Sequence, residues 1–170
     1  AAVDALTLGF RPSNLIIIAA RPAMGKTALV TNMALNVARD SGQTVVMFSL
    51  EMAQGEVMQR VISSEALVNG ERMYSGALSD GDIDRMLQAV KQIGDLPLFI
   101  DDCPAISLPK VRAACRLVDS DPTCPPLGLV VVDYLQLMGG SGKKGQSREQ
   151  EISEISRGLK VLAKELNVPV

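Results

Sequence analysis

Leu15-Ile16-Ile17-Ile18-Ala19-Ala20-Arg21-Pro22-Ala23-Met24-Gly25-Lys26-Thr27 is the stretch that decides the fold. An apolar run suited to a strand leads into the loop from Ala20 to Thr27, and a helix-forming stretch from Ala28 to Ala38 follows. Strand, loop and helix N-terminus in that order are the setting of a phosphate-binding P-loop. The loop's N–H groups and the first helical turn form a concave nest of partial positive charge that suits a polyphosphate. In that pattern Lys26 reaches the β- and γ-phosphates and the Thr27 hydroxyl ligates Mg²⁺. The pattern ordinarily opens with Gly, where Ala20 stands here; alanine serves if the backbone keeps a negative φ. The competing reading is an ordinary strand–helix connection carrying a solvated lysine.

Outward from the loop, helix and strand signals alternate. The helix from about residue 26 to 40 stops at Asp40-Ser41-Gly42, and Thr44-Val45-Val46-Met47-Phe48 follows as a strand apolar throughout, as one covered on both faces is. Val57, Met58, Val61, Ile62, Ala66 and Leu67 keep helical spacing in a helix from about Ala53 to Asn69, closed by Asn69-Gly70. Ser79-Asp80-Gly81-Asp82 opens a further helix with acidic residues in its first turn. Leu96 to Ile100 is a third strand ending at Asp101-Asp102, and Ser107 starts a helix to about Val118. The proline-rich loop from Asp121 to Pro126 precedes a fourth strand, Leu129 to Val132, which ends at Asp133. After the glycine-rich loop 139–145, Ser147 and Gln150 form a capping box. That box opens a long helix with the stripe Ile152, Ile155, Leu159, Leu162 and Leu166. Val168-Pro169-Val170 begins a fifth strand. The alternation predicts an α/β fold: a mostly parallel sheet with helices on both faces, whose ligands bind at the carboxyl ends of the strands. Lys26, Glu51, Asp101, Asp102 and Asp133 all follow strands at that end.

The totals agree with one globular domain. The chain has 170 residues, 47% hydrophobic and 21% charged, with a net charge of −2. There is no global basic field of the kind that coats nucleic acid, which leaves room for local contact in a channel. Three cysteines, Cys103, Cys115 and Cys124, form no Cys-x-x-Cys pair and read as reduced thiols of a cytoplasmic protein. The absence of histidine excludes His-based catalysis and most zinc chemistry. No apolar stretch approaches the roughly 20 residues that span a bilayer.

Each candidate residue carries two readings. Asp133, at the end of an aliphatic strand, is either the metal-side carboxylate of a P-loop ATPase or the cap of a turn. Glu51 either activates the water that attacks the γ-phosphate or is an acid at a helix N-terminus. Gln136 either senses the γ-phosphate or faces solvent. Lys143 and Lys144 either touch nucleic-acid phosphates or are solvated lysines of a glycine-rich loop. Asp101 and Asp102 read as loop or cap residues. Met24, Met47, Met52 and Met58 read as packing residues, and Tyr74 and Tyr134 are too scattered for a base-stacking platform.

Four segments carry a resemblance. Ala19 to Thr27, Phe48-Ser49-Leu50-Glu51-Met52, Val132-Asp133-Tyr134-Leu135-Gln136-Leu137-Met138, and Glu151 to Leu166 closely resemble the motor domain of the DnaB-type replicative helicases. That family also tolerates alanine at the first P-loop position. The resemblance covers nearly the whole chain and implies a RecA-like ATPase core in a homo-hexameric ring with ATP between subunits. It further implies hydrolysis that drives the ring along single-stranded DNA, usually 5′ to 3′, with primase and a helicase loader as partners. Carried over by position, Lys26, Thr27 and Asp133 bind phosphates and Mg²⁺, and Glu51 is the general base. Arg21, Met24, Gly25, Ala28 and Gln136 complete the nucleotide set. The same resemblance implies that residues 1–170 are one such domain, broken off after the fourth or fifth strand. The family's γ-phosphate sensor strand, DNA-binding loop, basic finger and N-terminal helical domain then lie outside it. A RecA- or KaiC-like ATPase of recombination or timing, and a nucleotide-gated assembly module without useful hydrolysis, are the alternatives.

Overall fold

The computed structural model of the chain describes residues 9–21, 23–138 and 147–170. Among these, three strands form a parallel sheet in the order β2-β1-β3: β1 (Thr44–Ser49), β2 (Leu98–Asp101) and β3 (Leu127–Asp133). The helices between them are α1 (Lys26–Asn36), α2 (Gln54–Ala66), α3 (Gly70–Ser75), α4 (Asp80–Gly94), α5 (Leu108–Asp119) and α6 (Arg148–Leu166). As predicted, the sheet is parallel and has helices on both sides, but among the described residues it holds three regular strands where the sequence predicts four and the start of a fifth.

β1 is the centre, and every one of its residues is buried. Its side chains alternate between two cores. Val45 and Met47 pack with Ala34, Leu35, Val57, Val61 and Ile93 from α1, α2 and α4. Val46 and Phe48 pack with Val111, Cys115, Leu159 and Leu162 from α5 and α6. A strand enclosed in this way needs no polar face, which is why the segment reads apolar throughout. Each fully buried side chain of this size contributes about 1.5–3 kcal/mol. Burial, helped by Asp119, pushes the Cys115 thiol up to about 12.

The register of β3 on β1 contains one irregularity. Thr44 pairs with Leu127 and Val45 with Leu129, so Gly128 is an extra residue on β3. A Cβ at Gly128 would lie 2.5 Å from the Gln43 Cβ, so only glycine fits there without displacing the neighbouring chain. At Gly158 of α6 a Cβ would meet Leu108 Cδ2 at 2.1 Å, so a side chain there would have to displace the end of the Leu108 side chain of α5.

Several sequence expectations need correction. Residues 15–20 are extended but form no regular strand of the sheet. The Ile16 N–H donates to the Val170 carbonyl (2.8 Å), and the Val170 N–H donates to the Asn14 carbonyl (2.8 Å). The Val130 N–H donates to the Pro169 carbonyl (3.1 Å). The segment is thus linked to β3 through 168–170, and these residues, expected to begin a further strand, form no regular strand either. The helix expected over 53–69 ends at Ala66, with Leu67 in the left-handed conformation (φ 52°). Asn69 begins α3 instead, its side chain accepting from the Glu71 N–H at 2.7 Å. The P-loop helix is α-helical to Asn36 and widens into a π-helical turn, Val37–Ser41, before Gly42 closes it (φ 60°). β3 begins two residues earlier than expected, at Leu127, and β2 two residues later, at Leu98.

Candidate nucleotide-binding site

The site is assembled where the sequence placed it, at the carboxyl end of the sheet. Gly25 adopts the left-handed conformation (φ 80°) and is the N-cap of α1, with no side chain capping the helix and no acid in its first turn. The Met24 N–H turns back to the Arg21 carbonyl (3.3 Å), while the Leu29 N–H is the donor that bonds to the Gly25 carbonyl (2.9 Å). The N–H groups of the first turn have no partner within the helix, so α1 presents its positive end to the cleft. Lys26 and Thr27 occupy that turn. The Lys26 ammonium lies 2.8 Å from Asp133 Oδ1, and the Thr27 hydroxyl donates to Asp133 Oδ2 at 2.6 Å. Asp133 is buried at the end of β3. The Leu50 N–H donates to its carbonyl at 2.7 Å, which ties the end of β1 to the end of β3. The Ser49 hydroxyl donates to the Met52 carbonyl (2.7 Å) and closes the turn that carries Glu51.

These groups face one cleft of about 710 Å³, whose wall includes Arg21, Lys26, Thr27, Glu51, Asp133 and Gln136. Six residues from three parts of the sequence are therefore brought together. Glu51 and Gln136 are exposed, and the Gln136 carbonyl accepts from Arg148 of α6. Gly25 and Met24 also border the cleft; Met24, read from the sequence as a packing residue, has 73% of its surface exposed. Ala28 is exposed on α1 and does not border the cleft. Asp101 and Asp102 are turn and cap residues, in line with the sequence: Asp101 accepts from the Cys103 N–H (2.9 Å) and Asp102 from the Gln54 N–H at the start of α2 (2.8 Å). Lys143 and Lys144 lie outside the described residues.

The donor set suits a metal–polyphosphate. Among the described residues no three acidic, cysteine or histidine side chains converge to hold a metal alone. A hydroxyl and a single carboxylate beside a phosphate nest match Mg²⁺, which keeps several waters and shares its ligands with substrate phosphates. Two cleft residues escape a reading of the sequence. Tyr134 places its ring 4.2 Å from the Lys26 ammonium. Its position directly after Asp133 is the available signal. Arg60 of α2 reaches the same cleft, and nothing in its sequence setting marks it.

The family model described as DnaB-like helicase C terminal domain matches residues 1–170, the whole chain. The chain belongs to the DnaB-like helicase C-terminal domain family. This DnaB-like domain is 42% identical over 168 residues to the replicative DNA helicase DnaB of Geobacillus stearothermophilus, a match covering 99% of the chain and 36% of that protein. It is 40% identical to the replicative DNA helicase DnaC of Bacillus subtilis over the same shares of the two chains. It therefore spans about a third of the length of these relatives. The structure is similar to a DnaB-like replicative helicase whose structure was described with its interactions with primase, with a TM-score of 0.90 at 32% identity over 99% of this chain and 40% of the other. A solved ATPase domain is equally similar (TM-score 0.90, 32% identity, 99% and 59% coverage). The DnaB-like domain thus has the RecA-like ATPase fold, and these relatives do not favour a recombination or timing ATPase. No described helix is long and apolar enough to cross a membrane.

Proposed function

We propose that this chain is the ATP-driven motor of a replicative DNA helicase, its 170 residues acting as one domain. The observation that carries the reading is the convergence of Lys26 and Thr27, at the open end of α1, on Asp133 at the end of β3, with Glu51 on the same cleft. In this reading the first turn of α1 and Lys26 hold the β- and γ-phosphates of ATP, with Arg21, Met24, Gly25 and Gln136 around them; Ala28, off the cleft wall, drops out of the set. Thr27 and Asp133 hold Mg²⁺, directly or through water. Mg²⁺, when bound, would supply neutralisation of the phosphate charge. Glu51 accepts a proton from the attacking water as the new O–P bond forms and the bond to the ADP oxygen breaks. The exposure of Glu51 on the cleft wall leaves its carboxylate open to that water.

Family membership supports the rest: a homo-hexamer with nucleotide between subunits, single-stranded DNA as track, and primase and a loader as partners. Lys143 and Lys144 remain the proposed contacts to DNA phosphates.

The test is ATP hydrolysis by the full-length protein, with and without single-stranded DNA, for wild type and Glu51→Gln. Hydrolysis stimulated by DNA and reduced at least a hundredfold by Glu51→Gln, roughly the lower range of a general-base contribution, is expected. Turnover indifferent to both changes would replace the motor with the nucleotide-gated assembly module.

A further inference from the structure

Tyr134 stands beside Asp133 yet has no part in the scheme above. Its ring lies 4.2 Å from the Lys26 ammonium, on the wall of the cleft. The ammonium is also 2.8 Å from Asp133 Oδ1, so carboxylate and ring together fix where the charge sits. The two contacts differ in kind. The carboxylate takes one of the ammonium's three N–H donors. The ring attracts the charge through its quadrupole and takes none. A lysine side chain has four rotatable bonds and loses substantial rotamer freedom when its end is held. A partner that restrains the ammonium without consuming its donors leaves those donors for phosphate oxygens. Only 24% of the Lys26 side chain is exposed, so the cation lies in a setting where such attraction is less screened than in open water.

We propose that Tyr134 is a positioning residue for Lys26: its ring face holds the ammonium at the phosphate end of the cleft, so that nucleotide binding does not have to order the side chain. The proposal rests on the nucleotide-binding reading of this site. The hydroxyl of Tyr134 has no share in it, and neither does any contact of the ring with the nucleoside.

Equilibrium binding of a fluorescent ADP analogue to the full-length protein, in EDTA and in Mg²⁺, tests it with Tyr134→Leu and Tyr134→Phe. AMP is the competitor that lacks the β-phosphate. Loss of a single cation–π contact predicts ADP binding weaker by about fivefold in Tyr134→Leu, with Tyr134→Phe restored to wild type and AMP affinity the same in all three proteins. Unchanged ADP affinity in a folded Tyr134→Leu protein overturns the proposal. So does a Tyr134→Phe protein that is itself weakened, which judges the idea even if the leucine variant fails to fold. An equal loss for AMP would move the ring's action from Lys26 to the nucleoside and would also overturn it. If wild type binds neither ADP nor ATP, the reading of the site falls, and this inference with it; the other adverse outcomes remove only the role of Tyr134.

Discussion

The helix that starts at Lys26 and the helix that starts at Asp80 begin in opposite ways. At α4 every available device closes the N-terminus. The Ser79 hydroxyl accepts from the Asp82 N–H at 3.2 Å, and Asp82 Oδ2 accepts from the Ser79 N–H at 3.0 Å, a reciprocal capping box. Asp80 and Asp82 add negative charge to the first turn. Asp82, buried, also meets Arg72 of α3 (2.5 Å) and Arg85 of α4 (2.6 Å). At α1 there is a left-handed glycine, no side-chain cap and no acid. The first arrangement satisfies the backbone donors within the fold; the second leaves them for an anion. Helix ends obey one physics, and the residue types decide whether the positive end contributes to stability or to binding.

Breaking the closed end has the largest expected effect. Asp82→Asn strips the charge from a cap that also anchors α3, and it should lower Tm further than Ser79→Ala. It should also flatten the acid side of the stability profile. The Ser79 N–H, the Ser79 hydroxyl and then the charges of Arg72 and Arg85 hold the Asp82 carboxyl below its ordinary 3.8. A carboxyl lowered on folding stabilises the protein fully above its unfolded value, and that contribution drains away as pH falls from about 3.8 through the lower folded value. Denaturant titrations at several pH values check this: the wild type should lose stability across that window more steeply than Asp82→Asn. An equal slope would mean that Asp82 titrates as it does in the unfolded chain.

Making the open end resemble the closed one comes next. Ala28→Glu places an acid in the first turn of α1. It should weaken ADP binding by about tenfold through repulsion of the phosphates. At the same time it should raise stability by about 0.3–1 kcal/mol through the helix dipole. Nucleotide titration and thermal melting of one protein read both, and a variant that changed neither would break the contrast between the two helices. The smallest effect is expected from Ser79→Ala. Removing half of the box costs about 1 kcal/mol, a fall of about 2–4 °C in Tm for a domain of this size. Nucleotide affinity should stay at the wild-type level.

The same contrast separates what can be read in the sequence from what cannot. Ser79 with Asp82 and Ser147 with Gln150 are local signals, and both boxes form. β1 is legible because burial on both faces removes polar residues from the chain itself. Glu51 and Asp133 fall at one end of the sheet, as expected, because each marks a strand end whatever the packing; Lys26 meets Asp133 there although no regular strand precedes it. What escapes depends on contacts between distant segments. Leu67 accepts a left-handed backbone because the end of α2 is tied by Ser63, whose hydroxyl donates to the Val68 carbonyl at 2.6 Å. The local preference of Asn69-Gly70 for a helix end is overridden, and Asn69 becomes a start. The partnership of Asp82 with Arg72 requires α3, a short helix with no buried residue and hence no apolar stripe to announce it. Tyr134 reads as scattered because its significance is the distance to Lys26, a side chain far back along the sequence.

The extra glycine in β3 reaches further than its own neighbourhood. Regular alternation would put Leu127, Leu129, Val131 and Asp133 on one side of the sheet. Instead Leu127 joins the core against α5 and α6, while Leu129 and Val131 join the core against α1. Gly128 shifts the parity of the strand by one. Everything after it is out of phase with Leu127, and Asp133, in regular register with β1, emerges beside Lys26 and Thr27. The residues of the proposed phosphate site and the first residue of the strand thus lie in opposite cores of the sheet, and the change of side is made at a residue that has no side chain.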